Sequence, residues 1–82
     1  MRYRLEIKEE ALRRLRGLSK DFRRNIGWRI EALRNDLAGD VKKLNTRVVR
    51  YRLRVGPYRV LFTLENDLIV VYAVKDRREA YE

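Results

Sequence analysis

The segment from Val49 to Leu64 constrains the fold more than any other part of the sequence, because apolar and polar residues alternate on both sides of a Gly56-Pro57 turn. Successive side chains of a β-strand point to opposite faces of the sheet, so a period of two predicts a β-hairpin with one apolar face. That apolar face carries Val49, Tyr51, Leu53, Val55, Tyr58, Val60, Phe62 and Leu64. The opposite face of the first strand carries Arg50, Arg52 and Arg54. The hairpin is therefore expected to bury one face and to present a basic one.

The turn also predicts how the two strands of the hairpin pair. A two-residue loop with glycine at positive φ followed by proline suits a type II′ turn. The resulting register pairs Val55 with Tyr58, Arg54 with Arg59, Leu53 with Val60, Arg52 with Leu61 and Tyr51 with Phe62. Like charges that face each other across strands are destabilising. Opposed arginines are expected where guanidinium groups hold a phosphate between them; the alternative is that both side chains extend separately into water.

The charge of the chain is concentrated in and around this hairpin. The 82 residues carry a formal net charge of +9. Residues 41–64, here called the basic window, contain no Asp or Glu, and their basic residues are Lys42, Lys43, Arg47, Arg50, Arg52, Arg54 and Arg59. An excess of this sign favours an anionic partner, namely nucleic acid, an acidic protein or an anionic membrane. The charge-rich surface of a heat-adapted protein, which is the alternative, would mix both signs in this window.

Length and composition exclude several classes of protein. The length predicts one domain over residues 1–82. The chain has neither Cys nor His, which excludes disulfides, Cys-based zinc sites and a His general base. The longest apolar run, Leu68–Val74, is too short to span a bilayer, and the N-terminus lacks the apolar run of a signal peptide. We therefore expect a cytoplasmic protein with no metal and no cofactor.

The remaining segments complete an α+β pattern. Residues 2–8 alternate like a strand, 9–17 have helical spacing, and Ser19 is expected to cap a second helix. The apolar stripe of that helix is Phe22, Ile26, Ile30, Leu33 and Leu37, about four turns long. Trp28 lies off this stripe, at a domain edge or a partner surface. Asn66-Asp67 predicts a second tight turn, and residues 68–75 are apolar on both faces, which predicts a central strand. The order β-α-α-β-β-β predicts two N-terminal helices packed on a four-stranded, mostly antiparallel sheet.

A second basic element follows the last strand. It contains Lys75, Arg77 and Arg78, and Tyr81 lies close behind. A tyrosine beside arginines can stack on a base or take part in proton transfer. The alternative is that the ring of Tyr81 packs against the sheet.

The residues named so far resemble the RelE/ParE toxin superfamily. The similarity rests on Lys43-Leu44, on Tyr51-Arg-Leu-Arg-Val-Gly-Pro-Tyr-Arg-Val-Leu-Phe62, and on Val74-Lys-Asp-Arg-Arg-Glu-Ala-Tyr81. It covers essentially the whole chain and is most like RelE-type toxins of type II toxin–antitoxin systems. It implies a RelE-like fold and an acidic, RelB-like antitoxin as partner.

The resemblance to RelE-type toxins also implies an activity and a set of site residues. Such toxins cleave mRNA in the ribosomal A site, where the ribose 2′-OH attacks the adjacent phosphate and the 5′-oxygen leaves. The matching positions are Arg52, Arg54, Arg59, Arg77 and Tyr81 as catalytic residues. Lys42, Lys43, Arg47, Arg50 and Arg78 are expected to contact RNA, and Arg78 is also an alternative to Arg77. Arginine is a poor proton donor, so we expect electrostatic stabilisation from the arginines, while Tyr81 is a base or a stacking residue.

Two other functions remain open at the level of the sequence. A ParE-like toxin would inhibit DNA gyrase without being an enzyme, although such members often lack the full arginine and tyrosine set. An inactive RNA-binding relative is the third possibility.

Overall fold

A computed structural model of the chain describes residues 2–44, 46–47 and 49–79. The elements are β1 (Arg4–Ile7), α1 (Glu9–Arg16), α2 (Lys20–Ala32), β2 (Val41–Leu44), β3 (Arg50–Val55), β4 (Tyr58–Glu65) and β5 (Leu68–Asp76). The strands form one sheet in the order β1-β5-β4-β3-β2. β1 runs parallel to β5, and the other neighbours are antiparallel. The predicted α+β class, with two helices before a mostly antiparallel hairpin sheet, is confirmed.

The number of strands was predicted wrongly, because the sheet has five strands rather than four. The additional strand is β2, which pairs antiparallel with β3 at the edge of the sheet. Its sequence, Val-Lys-Lys-Leu, is four residues long and does not alternate. A strand of this kind is defined by the backbone hydrogen bonds of its neighbour, which a local sequence pattern does not reveal.

Both helices contribute to the hydrophobic core on one face of the sheet. Helix residues Ala11, Leu15, Ile26 and Ile30, with Leu33 directly after α2, join strand residues Leu53, Val55, Val60, Phe62, Ile69, Val71 and Val74. The rings of Tyr51 and Phe62 stack within this layer, with centroids 5.3 Å apart. The opposite face of the sheet carries the outward residues of the hairpin and remains uncovered by these helices. The two faces therefore have different roles: one closes the core and the other is available for a ligand.

The second helix is shorter than its apolar stripe predicts. It ends at Ala32, and Leu37 lies in a following turn with a φ of 57°. Ser19 occupies the N-cap position, but its side chain makes no capping hydrogen bond. Phe22 is 40% exposed and packs edge-on against Tyr58, at 5.1 Å between ring centroids. The stripe is therefore buried only at its centre.

The hairpin formed by β3 and β4 has the predicted register. Arg54 pairs with Arg59, and Tyr51 pairs with Phe62. Gly56 has a φ of 56°, the positive value that the turn requires. A second glycine is required before β2, because Gly39 has a φ of 127° and a Cβ there would approach Leu53 Cδ1 to 2.9 Å. Gly56 thus permits the tight turn between β3 and β4, and Gly39 permits the loop before β2 to pack closely against Leu53 on β3.

Two further predictions concern positions within the fold. β5 lies inside the sheet between β1 and β4, as its apolar faces predict. Trp28 is 84% exposed on α2, at the edge of the domain. Within the described ranges, no helix has the length and apolar character needed to cross a membrane.

Candidate anion-binding site on the hairpin

Three basic residues form a row across three adjacent strands. Arg54 on β3 is the strand partner of Arg59 on β4, and Arg59 is in turn the partner of Lys75 on β5. Directly opposed residues project from the same face of a sheet, and neighbouring strands lie about 4.8 Å apart. This basic row therefore places three cationic side chains side by side on the face that the helices leave uncovered.

Lys75 is absent from the site residues predicted from the sequence, and a β-bulge explains why. Without the bulge, the Asn66-Asp67 turn would pair Arg59 with Val74 and send Lys75 to the helix side. The register of β4 and β5 shifts between Leu61 and Phe62, so that Tyr72 becomes the additional residue on β5. One extra residue in a strand exchanges the two faces for all residues that follow it. On β5 this exchange turns Lys75 to the outer face, beside Arg59.

Arg59 is the central residue of the site. Its Nη1 donates hydrogen bonds to the carbonyl oxygens of Gly56 at 3.1 Å and of Tyr58 at 3.0 Å, which orient the guanidinium over the turn. Partial burial lowers the pKa of Arg59, and the nearby charges of Arg54, Arg52 and Arg77 lower it further. A cation surrounded by cations is stabilised by a bound anion.

Four predicted catalytic residues meet at this point: Arg52, Arg54, Arg59 and Arg77, here called the arginine cluster. Arg52 lies two residues before Arg54 on the same face of β3. Arg77 reaches the cluster from the C-terminal turn, where its backbone N–H donates to the carbonyl oxygen of Pro57 at 2.7 Å. The fifth predicted catalytic residue, Tyr81, lies outside the described residues.

Within the described part of the chain, the members of the arginine cluster form no ion pairs, although the carboxylates of Asp40 and Asp76 lie within electrostatic range of Arg59 and Arg77, respectively. Among residues 2–44, 46–47 and 49–79, none of its four members forms an ion pair with a carboxylate. Arg4 pairs with Asp67 at 2.8 Å, and Arg34 pairs with Glu31 at 3.0 Å. Exposed arginines such as Arg23 and Arg24 also form no ion pair among the described residues. It is therefore the convergence of four unpaired guanidinium groups that makes the cluster a candidate site for an external anion.

The residues predicted to contact RNA divide between the two faces. Lys42 is the strand partner of Arg52, and Arg50 lies farther along β3, with its guanidinium carbon 5.3 Å from the centre of the Tyr72 ring. Lys43 is the partner of Tyr51 and so lies on the helix side of the sheet, away from the cluster. Arg47 and Arg78 are exposed in the segments before β3 and after β5, respectively, and the Arg78 backbone N–H donates to Asp76 Oδ1 at 2.9 Å.

A small apolar floor lies among these basic residues. Leu44, Leu61 and Val70 are 8%, 3% and 5% exposed, although they belong to the face without helices and not to the helix-side core. Leu61 is the strand partner of Arg52. Apolar surroundings reduce screening by water, so charges above such a floor interact with a phosphate more strongly than charges in open solvent. The sequence pattern does not predict this floor, because Val60, Leu61 and Phe62 are all apolar and so do not alternate.

Together the fold and the site define a small α+β domain that presents an arginine-rich sheet face to an anionic partner. Residues 5–81 match the family model of the ParE toxin of type II toxin–antitoxin systems, parDE. The chain therefore belongs to the ParE toxin family, within the RelE/ParE superfamily of toxins. No curated protein matches the chain in sequence.

Solved structures of RelE-type proteins share this fold. The archaeal RelE–RelB complex from Pyrococcus horikoshii OT3 contains a chain that is 28% identical, with a TM-score of 0.78, covering 98% of this chain and 100% of that one. The RelB–RelE complex from Methanococcus jannaschii gives 27% identity, a TM-score of 0.75 and coverage of 89% and 91%. The RelBE2 complex from Mycobacterium tuberculosis, at 20% identity and a TM-score of 0.81, covers 94% and 100% and shows likeness of fold alone.

Proposed function

We propose that this toxin is a ribosome-dependent endoribonuclease that cleaves mRNA in the ribosomal A site and so inhibits translation. The observation that carries the proposal is the arginine cluster, in which four guanidinium groups converge without forming an ion pair among the described residues. Such a cluster fits a phosphate whose negative charge grows during reaction. The 28% identity to a chain of a RelE–RelB complex supports the RelE-like interpretation.

The chemistry assigned to the cluster is electrostatic. In the proposed reaction the ribose 2′-oxygen forms a bond to the adjacent phosphorus, and the bond from phosphorus to the 5′-oxygen breaks. One RNA fragment then ends in a 2′,3′-cyclic phosphate, and the other ends in a 5′-hydroxyl that takes its proton from water. Arg59 and Arg54 lie across from each other and can bind two oxygens of the pentavalent phosphorane. Fixed donors that meet developing charge lower the barrier of such a step, because they need no reorganisation.

The proton of the 2′-OH requires an acceptor other than arginine, which stays protonated at any physiological pH. The chain has no His, so a two-histidine mechanism is excluded. Tyr81 is the proposed base or stacking residue. Holding the RNA in a reactive geometry is the contribution of the ribosome, since orientation of a 2′-OH in line with its phosphate accounts for much of the barrier in such reactions.

An acidic antitoxin is the proposed protein partner. Two relatives above 25% identity come from complexes of RelE with RelB. A partner of negative charge complements the +7 of the basic window. An antitoxin that covers the arginine cluster would neutralise the toxin by occupying the phosphate site.

Inhibition of DNA gyrase without catalysis is the second candidate function, and the match of residues 5–81 to the ParE family model favours it. The two functions are separated by incubating purified toxin with translating ribosomes and, in parallel, with gyrase and relaxed plasmid. We expect cleavage of ribosome-bound mRNA, intact free RNA and normal supercoiling. Uncut ribosome-bound mRNA together with blocked supercoiling would refute the nuclease.

The same assay tests the site residues. Replacing Arg59 by Ala is expected to lower the cleavage rate about 10²-fold or more, as removal of one preorganised donor does in other enzymes. Arg16→Ala, which removes a charge that is far from the sheet face and paired with Glu9 at 3.7 Å, serves as the matched control. Tyr81→Phe separates the two roles of Tyr81, because a stacking residue survives this change and a base does not.

A further inference from the structure

The C-terminal turn is joined to the first helix by a fork-shaped ion pair. Arg14 on α1 donates from Nη2 to Glu79 Oε1 at 2.7 Å and from Nη1 to Oε2 at 3.4 Å. The two residues are 65 positions apart in the sequence. Their side chains are 41% and 47% exposed, so the pair is partly shielded from solvent. A two-pronged arginine–carboxylate contact defines orientation as well as proximity.

Glu79 also determines the shape of the turn that contains Arg77 and Arg78. Its Oε1 accepts a hydrogen bond from the backbone N–H of Asp76 at 3.3 Å. Its own N–H donates to the carbonyl oxygen of Asp76 at 2.9 Å. The hydrogen bonds from Arg14 and from the Asp76 N–H hold the pKa of Glu79 below its usual value. The carboxylate of Glu79 therefore bonds both to the backbone of its own turn and to Arg14 on α1.

The opposite side of the same turn touches the hairpin. The N–H of Arg77 donates to Pro57 at 2.7 Å, and the charge of Arg77 reaches Arg59. Arg77 thus sits between two anchors, one on the hairpin and the other on α1. A segment that extends beyond a sheet is poorly ordered unless such contacts hold it.

Global stability alone does not explain the Arg14–Glu79 pair. Exposed and half-exposed ion pairs contribute little to global stability. The neighbouring pair Arg16–Glu9, at 3.7 Å with both side chains more than 60% exposed, lies on the same helix and does not reach the turn. The Arg14–Glu79 pair differs because it joins α1 to the turn that contains Arg77.

We propose that Arg14 and Glu79 are positioning residues that keep Arg77 beside Arg59. This inference rests on the proposed nuclease function and adds two residues outside the arginine cluster, one of them on α1. Neither residue touches the substrate. Loss of the pair leaves Arg52, Arg54 and Arg59 in place on the hairpin but releases the turn, so that Arg77 no longer meets the phosphate in a fixed geometry.

The test compares wild type with Arg14→Ala, Glu79→Gln, the charge-exchanged double variant Arg14→Glu/Glu79→Arg, and the matched control Arg16→Ala. Single-turnover cleavage of mRNA on ribosomes gives the maximal rate and the half-saturating ribosome concentration. Amide hydrogen exchange at Arg77 reports the turn directly. In both single variants we expect the maximal rate to fall about tenfold, since small misplacements of this kind carry penalties up to about 10²-fold. Half-saturation should stay unchanged, and exchange at the Arg77 amide should accelerate about tenfold.

The charge-exchanged variant should recover part of both effects, because it restores the pair with α1 but an arginine at position 79 cannot accept the Asp76 N–H; the control should show neither effect. Unchanged protection of the Arg77 amide in both single variants would refute the positioning role, and so would a double variant that recovers no part of the lost rate. If wild type itself leaves ribosome-bound mRNA intact, the nuclease function fails, whereas the exchange measurement still decides whether the pair holds the turn. The two failures are therefore distinguishable.

Discussion

Replacing Arg54 by Gln should make this toxin more stable and less active at the same time. Arg54 and Arg59 are direct partners across β3 and β4, and neither forms an ion pair with a carboxylate among the described residues. Opposed like charges in an antiparallel pair cost about 0.2–1 kcal/mol. Glutamine keeps most of the length of the side chain and its hydrogen-bonding capacity but removes the charge, so the substitution chiefly relieves the repulsion.

The expected gain in the free energy of unfolding is about 0.5 kcal/mol, the middle of that range. For a domain of this size, such a gain raises the thermal midpoint by about 2–4 °C. The effect is electrostatic and should therefore fade in salt, because the screening length falls from about 10 Å at 0.1 M to about 3 Å at 1 M. The cleavage rate should fall about 10²-fold, as expected for the loss of one donor to the phosphorane.

Thermal and urea denaturation followed by circular dichroism, at low and at high salt, measure the stability term. Arg4→Gln is the matched control: it is the same substitution on a strand, but Arg4 holds Asp67 with two hydrogen bonds of 2.8 and 3.1 Å. The control should lower stability and leave the cleavage rate unchanged. Two outcomes would refute repulsion between the opposed arginines. One is an Arg54→Gln protein that is less stable than wild type at low salt, and the other is a gain in the free energy of unfolding that salt does not reduce.

Other predictions concern the backbone, the core and pH. Gly27→Ala should raise the free energy of unfolding by about 1 kcal/mol, because position 27 is helical and a Cβ there meets nothing within 4 Å. Gly39→Ala should lower it by more than about 1 kcal/mol, because φ is 127° and the Cβ meets a core side chain at 2.9 Å. Equal urea midpoints for the two glycine variants would contradict this. Phe62→Ala should cost about 3–5 kcal/mol, since Phe62 is fully buried; a loss under about 1 kcal/mol would be inconsistent with its position. The pKa of Glu79 lies below its ordinary value of 4.5, so the stabilisation it provides is complete above 4.5 and is lost as the pH falls through the lower folded value. A carboxyl ¹³C titration of Glu79 with a midpoint at or above 4.5 would disprove the contact with α1.

Local pattern was sufficient to predict the hairpin. The register of β3 with β4 follows from a two-residue turn and a period of two, both of which act between residues close in sequence. The convergence of Arg54 and Arg59 was predictable for the same reason. The apolar residues of β5 likewise predicted an interior strand, since burial on both faces requires apolar side chains on both.

Local pattern failed where a neighbour determines the structure. β2 is a strand because β3 supplies its hydrogen bonds, not because its own residues alternate. The helical stripe continues to Leu37, but the helix ends at Ala32 and the chain turns with positive φ at Asp36 and Leu37. Lys43 counts toward the charge of the basic window but faces the helix side, because its position in β2 is set by pairing with Tyr51.

The sequence by itself determined the charge of the sheet face and the pairing of Arg54 with Arg59. Both depend only on composition and on the alternation of side chains within one hairpin. Only the tertiary structure decided that Lys75 joins these two arginines and how Arg77 is brought to them. A single additional residue at Tyr72 reverses the parity of β5 and turns Lys75 toward Arg59. Arg77 arrives through a backbone hydrogen bond to Pro57, and the turn that carries it is held by a helix residue 65 positions away from Glu79. Bulges and contacts between distant segments depend on how elements pack, which the local periodicity of a sequence does not encode.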